Sequence, residues 1–119
     1  MYANAGHSPV LFCAQGDRAR LLTADSPPIG VLSTSLCKNH TLPFGPGDVL
    51  VVATDGLNEA ISPNDEMFGY DRLLDLVSES ANLSARALAE SLFSAVEEFG
   101  MGRPQDDDQT LIVIKGVAV

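Results

Sequence analysis

The fold is decided by the stretch Val49-Leu50-Val51-Val52-Ala53-Thr54-Asp55-Gly56, in which an apolar run ends at a carboxylate and a glycine. Its near-continuous valine and leucine content predicts a β-strand that is buried on both faces. A second stretch, Asp106-Asp107-Asp108-Gln109-Thr110-Leu111-Ile112-Val113-Ile114, has the reverse order, because its carboxylates precede the apolar run. If the two strands are antiparallel neighbours, the exit of one and the entry of the other lie on the same edge of the sheet. We therefore expect Asp55 and the cluster at 106–108 to converge.

Converging carboxylates need a compensating charge, because like charges a few ångströms apart repel each other. A hard divalent cation such as Mg²⁺ or Mn²⁺, which prefers oxygen ligands, is the usual solution. The simpler alternative is that Asp55-Gly56 is an ordinary turn and that residues 106–108 form an ordinary solvated loop. The spacing of the residues leaves both interpretations open.

The length and charge of the chain limit the classes of function to consider. A chain of 119 residues forms at most one domain with one core. The formal net charge of −9 argues against nucleic acid as a partner, because a negative field repels phosphate backbones. The same field favours the capture of cations, although solubility alone is enough to explain most of these charges.

The sequence also bears on the cellular compartment. No apolar run approaches the roughly 20 residues that a membrane helix needs, so we expect no membrane segment in this chain. No signal segment opens the sequence. Cys13 and Cys37 fit no zinc spacing and are typical of a reducing compartment. We therefore expect a cytoplasmic protein.

The remaining patterns predict strands first, then two helices, then one last strand. Strands are expected at residues 10–14, 18–23, 36–42, 48–54 and 110–115, with the tail of another at 2–5. Helices are expected at 70–79 and 84–99, where apolar residues recur at helical spacing, and Ser84 is the expected N-cap of the second. This layout is an α+β fold, an antiparallel β-sheet with two helices packed on one face.

Several short motifs resemble, in order and spacing, the C-terminal half of the SpoIIE-type serine phosphatases, which are bacterial relatives of the metal-dependent type 2C protein phosphatases. The motifs are Tyr2-Ala3-Asn4-Ala5-Gly6-His7-Ser8-Pro9, Pro28-Ile29-Gly30-Val31, Gly45-Pro46-Gly47-Asp48, Thr54-Asp55-Gly56-Leu57-Asn58-Glu59-Ala60, Phe68-Gly69-Tyr70-Asp71-Arg72-Leu73 and Asp107-Asp108-Gln109-Thr110. The resemblance implies an α-β-β-α sandwich of which this sheet is a part. It also implies hydrolysis of phosphoserine or phosphothreonine at a two-metal Mn²⁺ or Mg²⁺ centre without a phospho-enzyme intermediate.

The resemblance assigns roles to individual residues. Asp55 matches the metal-binding aspartate of the family's Thr-Asp-Gly motif, and Asp107 matches the metal-binding first aspartate of its Asp-Asp-x-Thr motif. Gly56 would let the backbone turn sharply beside the metal. Asp108 and Thr110 would orient the loop or the waters on the metal, with a solvated loop residue as the alternative for Asp108. We expect no catalytic residue beyond the metal ligands.

Two histidines need separate interpretations. His7 follows Asn4-Ala5-Gly6, a segment that runs close to the site in the family, so it could donate a hydrogen bond to phosphate or to a water on the metal. The alternative is a hydrogen-bonded structural histidine in a turn. We expect His40, in a predicted strand, to be structural.

This sequence also lacks part of the family pattern. The N-terminal half of the family domain carries a further aspartate that bridges both metals and a glycine whose carbonyl binds metal, and no residue before Tyr2 supplies them here. We therefore expect residues 1–119 to be a single, truncated phosphatase domain that binds metal weakly and is weak or inactive alone, because a hard cation needs about six oxygens. Half a sandwich exposes apolar surface, which favours a homodimer.

The resemblance implies partners as well. The substrates of the family are phosphoserine proteins, especially anti-sigma-factor antagonists in bacterial signal transduction, and a sensor or receiver domain often precedes the catalytic domain. One alternative is a non-catalytic phosphatase-like module that binds a regulatory partner. Another is an acidic metal-binding α+β domain unrelated to phosphatases.

Overall fold

The computed structural model describes residues 1–34 and 36–119. Along these residues the elements are β1 (Val10–Cys13), β2 (Arg20–Leu22), β3 (Val49–Ala53), α1 (Asp55–Asn58), α2 (Gly69–Ser80), α3 (Ala85–Gly100) and β4 (Leu111–Lys115). The strands form one sheet in the order β2-β1-β3-β4, and each neighbouring pair is antiparallel. Helices α2 and α3 pack on one face, which confirms the predicted α+β fold.

Strands β3 and β4 are antiparallel neighbours, which is the condition for their acid-bearing ends to lie at one edge. Their register pairs Val49 with Lys115 at one end and Ala53 with Leu111 at the other. The Thr54 N–H donates to the Thr110 carbonyl oxygen at 2.9 Å, so the pairing continues one residue beyond the strands. The end of β3 and the beginning of β4 therefore lie at one edge of the sheet.

The core lies between the sheet and the two long helices. It is built from buried apolar side chains that alternate along the strands and recur at helical spacing along the helices, among them Leu11, Cys13, Val49, Val51, Leu73, Val77, Leu88, Leu92 and Val96. Full burial of one such leucine or valine side chain contributes roughly 1.5–3 kcal/mol to folding. This packing sets the position of α2 and α3 relative to the β3–β4 edge.

Strand β3 is buried on one face only, which corrects the expectation of burial on both. Val49, Val51 and Ala53 face the helices and are buried, whereas Leu50 and Val52 are half-buried on the opposite face. On the same opposite face of β4, Ile112 and Ile114 are 58% and 45% exposed. Both helices pack on the other side, so within the described residues this face has only partial cover.

The segments that precede β3 differ from the prediction. Residues 36–42 are not a strand: His40 forms only an isolated bridge with Tyr2. Two backbone hydrogen bonds join His40 to Tyr2, at 2.7 and 2.8 Å. The His40 ring also stacks on Tyr2 at 5.2 Å, and its Nε2 lies 2.6 Å from the Asp25 carboxylate. Residues 2–5 likewise contribute isolated bridges and no strand. His40 is structural, as expected.

The helices begin and end close to the predicted residues. The Ser84 hydroxyl accepts a hydrogen bond from the Ala87 N–H at 3.1 Å, so Ser84 is the N-cap of α3. After Gly100 the helix ends at Met101, which has left-handed backbone angles, followed by Gly102 with φ of 82°. Among residues 1–34 and 36–119, no helix combines the length and the apolar character that crossing a membrane requires.

Candidate functional site

Two acid-bearing segments meet at Gly56. We call residues 106–110, which precede β4, the Asp loop. A Cβ atom built on Gly56 would lie 2.0 Å from the carbonyl oxygen of Asp108 and 3.3 Å from that of Asp107. Gly56 is buried in α1 and has no positive φ, so it serves close approach of the Asp loop rather than the sharp turn expected from the sequence. Only a residue without a side chain permits this approach.

The Thr54 hydroxyl ties the same loop to the end of β3. Its Oγ1 accepts a hydrogen bond from the Thr110 N–H at 3.1 Å and lies 3.3 Å from the carbonyl oxygens of both Asp108 and Thr110. Thr110 therefore positions the loop through its main chain. The expectation that Thr110 orients the loop or the waters on the metal stays a prediction.

Asp55 lies at the start of α1 with an exposed side chain. Its Oδ1 accepts a hydrogen bond from the Ser8 hydroxyl at 2.5 Å, although the two residues are 47 positions apart. The hydroxyl of Tyr70, from α2, lies close to both Ser8 and Asp55. Burial and then the nearby Asp55 carboxylate raise the pKa of Tyr70, so at neutral pH its hydroxyl remains protonated and able to donate.

Sequence reasoning did not assign Ser8 or Tyr70 to the site. Both lie inside motifs that carry the family resemblance, and Tyr70 also begins the helix predicted at 70–79. The one feature that could have indicated a role for Ser8 and Tyr70 is their hydroxyl group, because each lies in or next to a motif that contains predicted site residues. A hydroxyl that meets a carboxylate across the fold has no signature in local spacing.

The aspartates of the Asp loop differ in their contacts. The Asp107 Oδ1 accepts a hydrogen bond from the Asp108 N–H at 2.8 Å, which restrains the Asp107 side chain against its own loop. Asp108 contributes its carbonyl oxygen to the contacts with Gly56 and Thr54, and its side chain is exposed. Asp108 therefore contributes to the structure of the loop through its main chain.

His7 belongs to a tight turn at the same end of the sheet. Its N–H donates to the Asn4 Oδ1 at 2.9 Å, and its Nδ1 lies 2.9 Å from the Ser8 carbonyl oxygen. The preceding Gly6 has φ of 83°, and a Cβ atom there would collide with Pro28. Within the described residues His7 makes no hydrogen bond to Asp55 or to the Asp loop. These contacts make His7 a turn residue next to Ser8, and its role toward phosphate stays a prediction.

The carboxylates of Asp55 and Asp107 are the right type of ligand for a hard divalent cation, but two of them are too few to fill its coordination shell. Exposed carboxylate oxygens of Asp55 and Asp107 are the ligand type that Mg²⁺ and Mn²⁺ prefer. Across residues 1–34 and 36–119, no group of three or more His, Cys, Asp or Glu side chains is placed to hold a metal ion. The two aspartates can therefore provide only part of a coordination shell, and oxygens from elsewhere must complete it.

The chain belongs to the SpoIIE family of phosphatase-like domains. The family model described as Stage II sporulation protein E (SpoIIE) matches residues 1–116. Among curated relatives, protein IcfG of Synechocystis sp. is 31% identical over 95% of this chain and 18% of IcfG. The phosphoserine phosphatase RsbP of Bacillus subtilis is 26% identical over 95% of this chain and 26% of RsbP.

Solved structures with the same fold are phosphatase domains. The SiaA-PP2C domain of Pseudomonas aeruginosa superposes with a TM-score of 0.78 at 26% identity, over 95% of this chain and 45% of that one. The phosphatase domain of SpoIIE from Bacillus subtilis, at 17% identity, has a TM-score of 0.67 over 97% of this chain and 49% of that one and shares the fold. The chain thus spans less than half the length of each of these relatives.

These matches confirm the resemblance to SpoIIE-type phosphatases and exclude an unrelated acidic metal-binding domain. They concern the fold and the family. The assignment of Asp55 and Asp107 as metal ligands, and of Gly56, Asp108, Thr110 and His7 as supporting residues, stays a prediction.

Proposed function

We propose that this chain is part of a metal-dependent phosphatase that hydrolyses phosphoserine or phosphothreonine in a regulatory protein, of the anti-sigma-factor antagonist type. One observation carries the proposal: the contact of Gly56 with the Asp108 carbonyl oxygen brings Thr54-Asp55-Gly56 and the Asp loop together at one sheet edge. Membership of the SpoIIE family and similarity to the phosphoserine phosphatase RsbP support the reaction class.

The proposed unit is one domain, residues 1–119, equivalent to the C-terminal half of a phosphatase domain. The chain spans 45% of the SiaA-PP2C chain and 49% of the SpoIIE phosphatase domain, which supports a unit of about half a phosphatase domain. RsbP and IcfG are several times longer than the matched region, and in proteins of this type we propose a sensor or receiver domain before the phosphatase. We propose the cytoplasm as the compartment.

In this proposal Asp55 and Asp107 hold the cation, Mn²⁺ or Mg²⁺. A bound cation would neutralise the phosphate and lower the pKa of a bound water. Donation by the Ser8 hydroxyl to the Asp55 Oδ1 orients that carboxylate, and the protonated Tyr70 hydroxyl lies close to it. Thr54 and Gly56 keep the Asp loop within reach of Asp55.

The second candidate function is a non-catalytic phosphatase-like module that binds a regulatory partner. The small number of ligands favours it, since no group of three or more potential metal-binding side chains occurs in the described part of the chain. The two candidates differ in whether the aspartates bind metal and whether phosphate is released.

Calorimetric titration with MnCl₂ and a phosphoserine-peptide assay with excess Mn²⁺ test the proposal. We expect weak Mn²⁺ binding that is lost in Asp55→Asn and in Asp107→Asn, together with little or no phosphate release by the chain alone. Asp17→Asn is the matched control, because Asp17 is an exposed aspartate in the β1–β2 turn, away from the β3–β4 edge.

The outcomes separate the hypotheses. Robust phosphate release that Asp55→Asn abolishes would establish the phosphatase and contradict the expected weakness of the isolated chain. A folded chain that shows no binding of Mn²⁺ would remove the metal site and favour the binding module.

A further inference from the structure

A groove with a volume of about 820 Å³ opens directly beside the candidate metal centre. It lies between the C-terminal part of α3 and the Asp loop, and Gly56 and Asp107 line the end nearest the centre. Because the groove and the centre share Asp107, a ligand whose phosphate reaches Asp55 can extend directly into the groove. The groove is therefore continuous with the proposed reaction site.

The groove has an apolar lining that water reaches. Met67 and Phe93 are 51% and 38% exposed, and half-buried Ile61 lines the same groove, whereas Val96 is a core residue at its base. Phe93 lies on α3 but is not among the residues of the hydrophobic core, so core packing does not explain this large apolar side chain. Exposed apolar surface with a polar rim is typical of protein interaction sites.

The rim of the groove is negatively charged. Glu59, Glu97, Asp106 and Asp107 contribute carboxylates. Arg103 is the one basic side chain among the described residues that line the groove, and it is already engaged with the Asp65 carboxylate at 2.8 Å. The field in the groove therefore attracts cationic groups and repels acidic segments.

We propose that this groove docks the segment of the phosphoprotein that flanks the phosphoserine, and that this segment carries arginine or lysine residues together with one large apolar side chain. The basic residues would face Glu59 and Glu97, and the apolar side chain would cover Met67 and Phe93. This inference rests on the proposed function, because it takes the phosphoserine to lie at the Asp55–Asp107 edge.

Fluorescence anisotropy with labelled peptides tests the inference on the full chain. The probe is a short peptide with one phosphoserine flanked by arginines and a leucine, and the matched peptide has glutamates in place of the arginines. The variants are the double change Glu59→Gln with Glu97→Gln, and the single change Phe93→Ser. Their controls are Glu79→Gln with Glu90→Gln, which neutralise exposed carboxylates outside the groove, and Leu83→Ser, at a side chain that is 37% exposed.

We expect the basic peptide to bind and the acidic peptide not to bind. Neutralising both glutamates should weaken binding about threefold to tenfold at low salt, with a smaller effect as salt rises, because these ion pairs are partly solvated. Phe93→Ser should weaken binding about tenfold, because it removes an apolar anchor. The control variants should bind as the unchanged chain does.

The unphosphorylated basic peptide separates this inference from the proposed function. Binding of that peptide, weakened by the Glu59 and Glu97 changes, supports the groove even if no peptide ever loses phosphate. The inference is overturned if the folded chain binds neither the phosphorylated nor the unphosphorylated basic peptide. It is also overturned if acidic and basic peptides bind equally well. Mn²⁺-dependent phosphate release that ignores the flanking residues would overturn the groove and leave the phosphatase intact.

Discussion

The two ends of the β3–β4 pair are built in the same way from the same residue types. At the far end, a Cβ atom on Gly116 would lie 1.9 Å from the Gly45 carbonyl oxygen, and at the site end a Cβ atom on Gly56 would lie 2.0 Å from the Asp108 carbonyl oxygen. In each case a glycine allows a loop to close tightly over the end of the strands. An aspartate lies close to each end of β3, Asp48 before the strand and Asp55 after it.

The two aspartates differ in what satisfies their oxygens. Both oxygens of Asp48 accept backbone hydrogen bonds, from the Gln15 N–H and from the Gly45 N–H, each at 2.8 Å. These bonds lower the pKa of Asp48, since they favour its charged form. Asp55 instead accepts a hydrogen bond from the Ser8 hydroxyl, and the Tyr70 hydroxyl lies close to its carboxylate. The two backbone N–H groups therefore engage both oxygens of Asp48 in closing turns, whereas the Ser8 hydroxyl engages only the Oδ1 of the exposed Asp55 carboxylate.

The largest expected effect concerns the two glycines. Gly56→Ala and Gly116→Ala should each lower the free energy of unfolding by about 1–3 kcal/mol, because the added methyl group would overlap a main-chain carbonyl. Urea denaturation measures this loss. Gly45→Ala is the control, since a Cβ atom there meets nothing within 4 Å.

Metal affinity should distinguish the two glycine variants. Gly56→Ala displaces the Asp loop and should weaken Mn²⁺ binding, whereas folded Gly116→Ala should bind Mn²⁺ as the unchanged chain does. Equal Mn²⁺ affinities for both variants would contradict the placement of the metal site at the Gly56 end.

The two aspartate variants should lose different properties, Mn²⁺ affinity in Asp55→Asn and thermal stability in Asp48→Asn. Asp55→Asn should weaken Mn²⁺ binding by at least about tenfold and leave the metal-free melting temperature nearly unchanged. Asp48→Asn should lower the melting temperature, because an amide cannot accept both backbone hydrogen bonds with its two terminal atoms, and should leave Mn²⁺ affinity unchanged. Thermal unfolding with and without MnCl₂ measures both effects, since binding to the folded state raises the melting temperature. The reverse pattern would show that the two aspartates have been assigned the wrong way round.

A smaller effect is expected from Thr54→Val, which keeps the shape of the side chain and removes its hydroxyl. The hydrogen bond with the Thr110 N–H and the contact with the Asp108 carbonyl oxygen would be lost, at a cost of about 1 kcal/mol in the free energy of unfolding. Thr23→Val, at an exposed threonine outside the site, is the control for urea denaturation. An effect of the same size in both variants would mean that the hydroxyl does not hold the Asp loop.

The smallest expected effect is in the dependence of stability on pH. The pKa of Asp48 is lowered in the folded state from its ordinary value of 3.8. Its contribution to stability is therefore complete above that value and is lost as the pH falls through the lowered folded pKa. Urea denaturation across this acidic range should show a flatter pH profile for Asp48→Asn than for the unchanged chain. Parallel profiles would show that the backbone hydrogen bonds of Asp48 do not stabilise its charged form.

Local patterns predicted the elements that depend on neighbours in sequence. Helix α3 follows from its apolar spacing and from the Ser84 cap, which acts within its own first turn. The β3–β4 pairing followed from two apolar runs flanked by acids. The predicted strand at 36–42 was wrong, because backbone pairing there is limited to one isolated bridge of His40 with Tyr2. The His40 contacts with Tyr2 and Asp25 join residues far apart in the chain.

The candidate site also has a part that can be predicted from the sequence and a part that cannot. Asp55 and the Asp loop could be paired from the sequence, because antiparallel strands bring an exit and an entry to one edge. The contacts of Asp55 with Ser8 and Tyr70, and the approach of the Asp108 carbonyl oxygen to Gly56, could not, because they join residues tens of positions apart through the packing of separate elements.

The helices, the main strands and the family can be predicted from residue order alone, because hydrophobic period, caps and ordered motifs are properties of neighbouring residues. The buried face of β3, the aspartate whose oxygens the backbone satisfies and the acidic groove beside Asp107 are visible only in the folded chain. These features depend on the distances between groups that the chain brings together only when it folds.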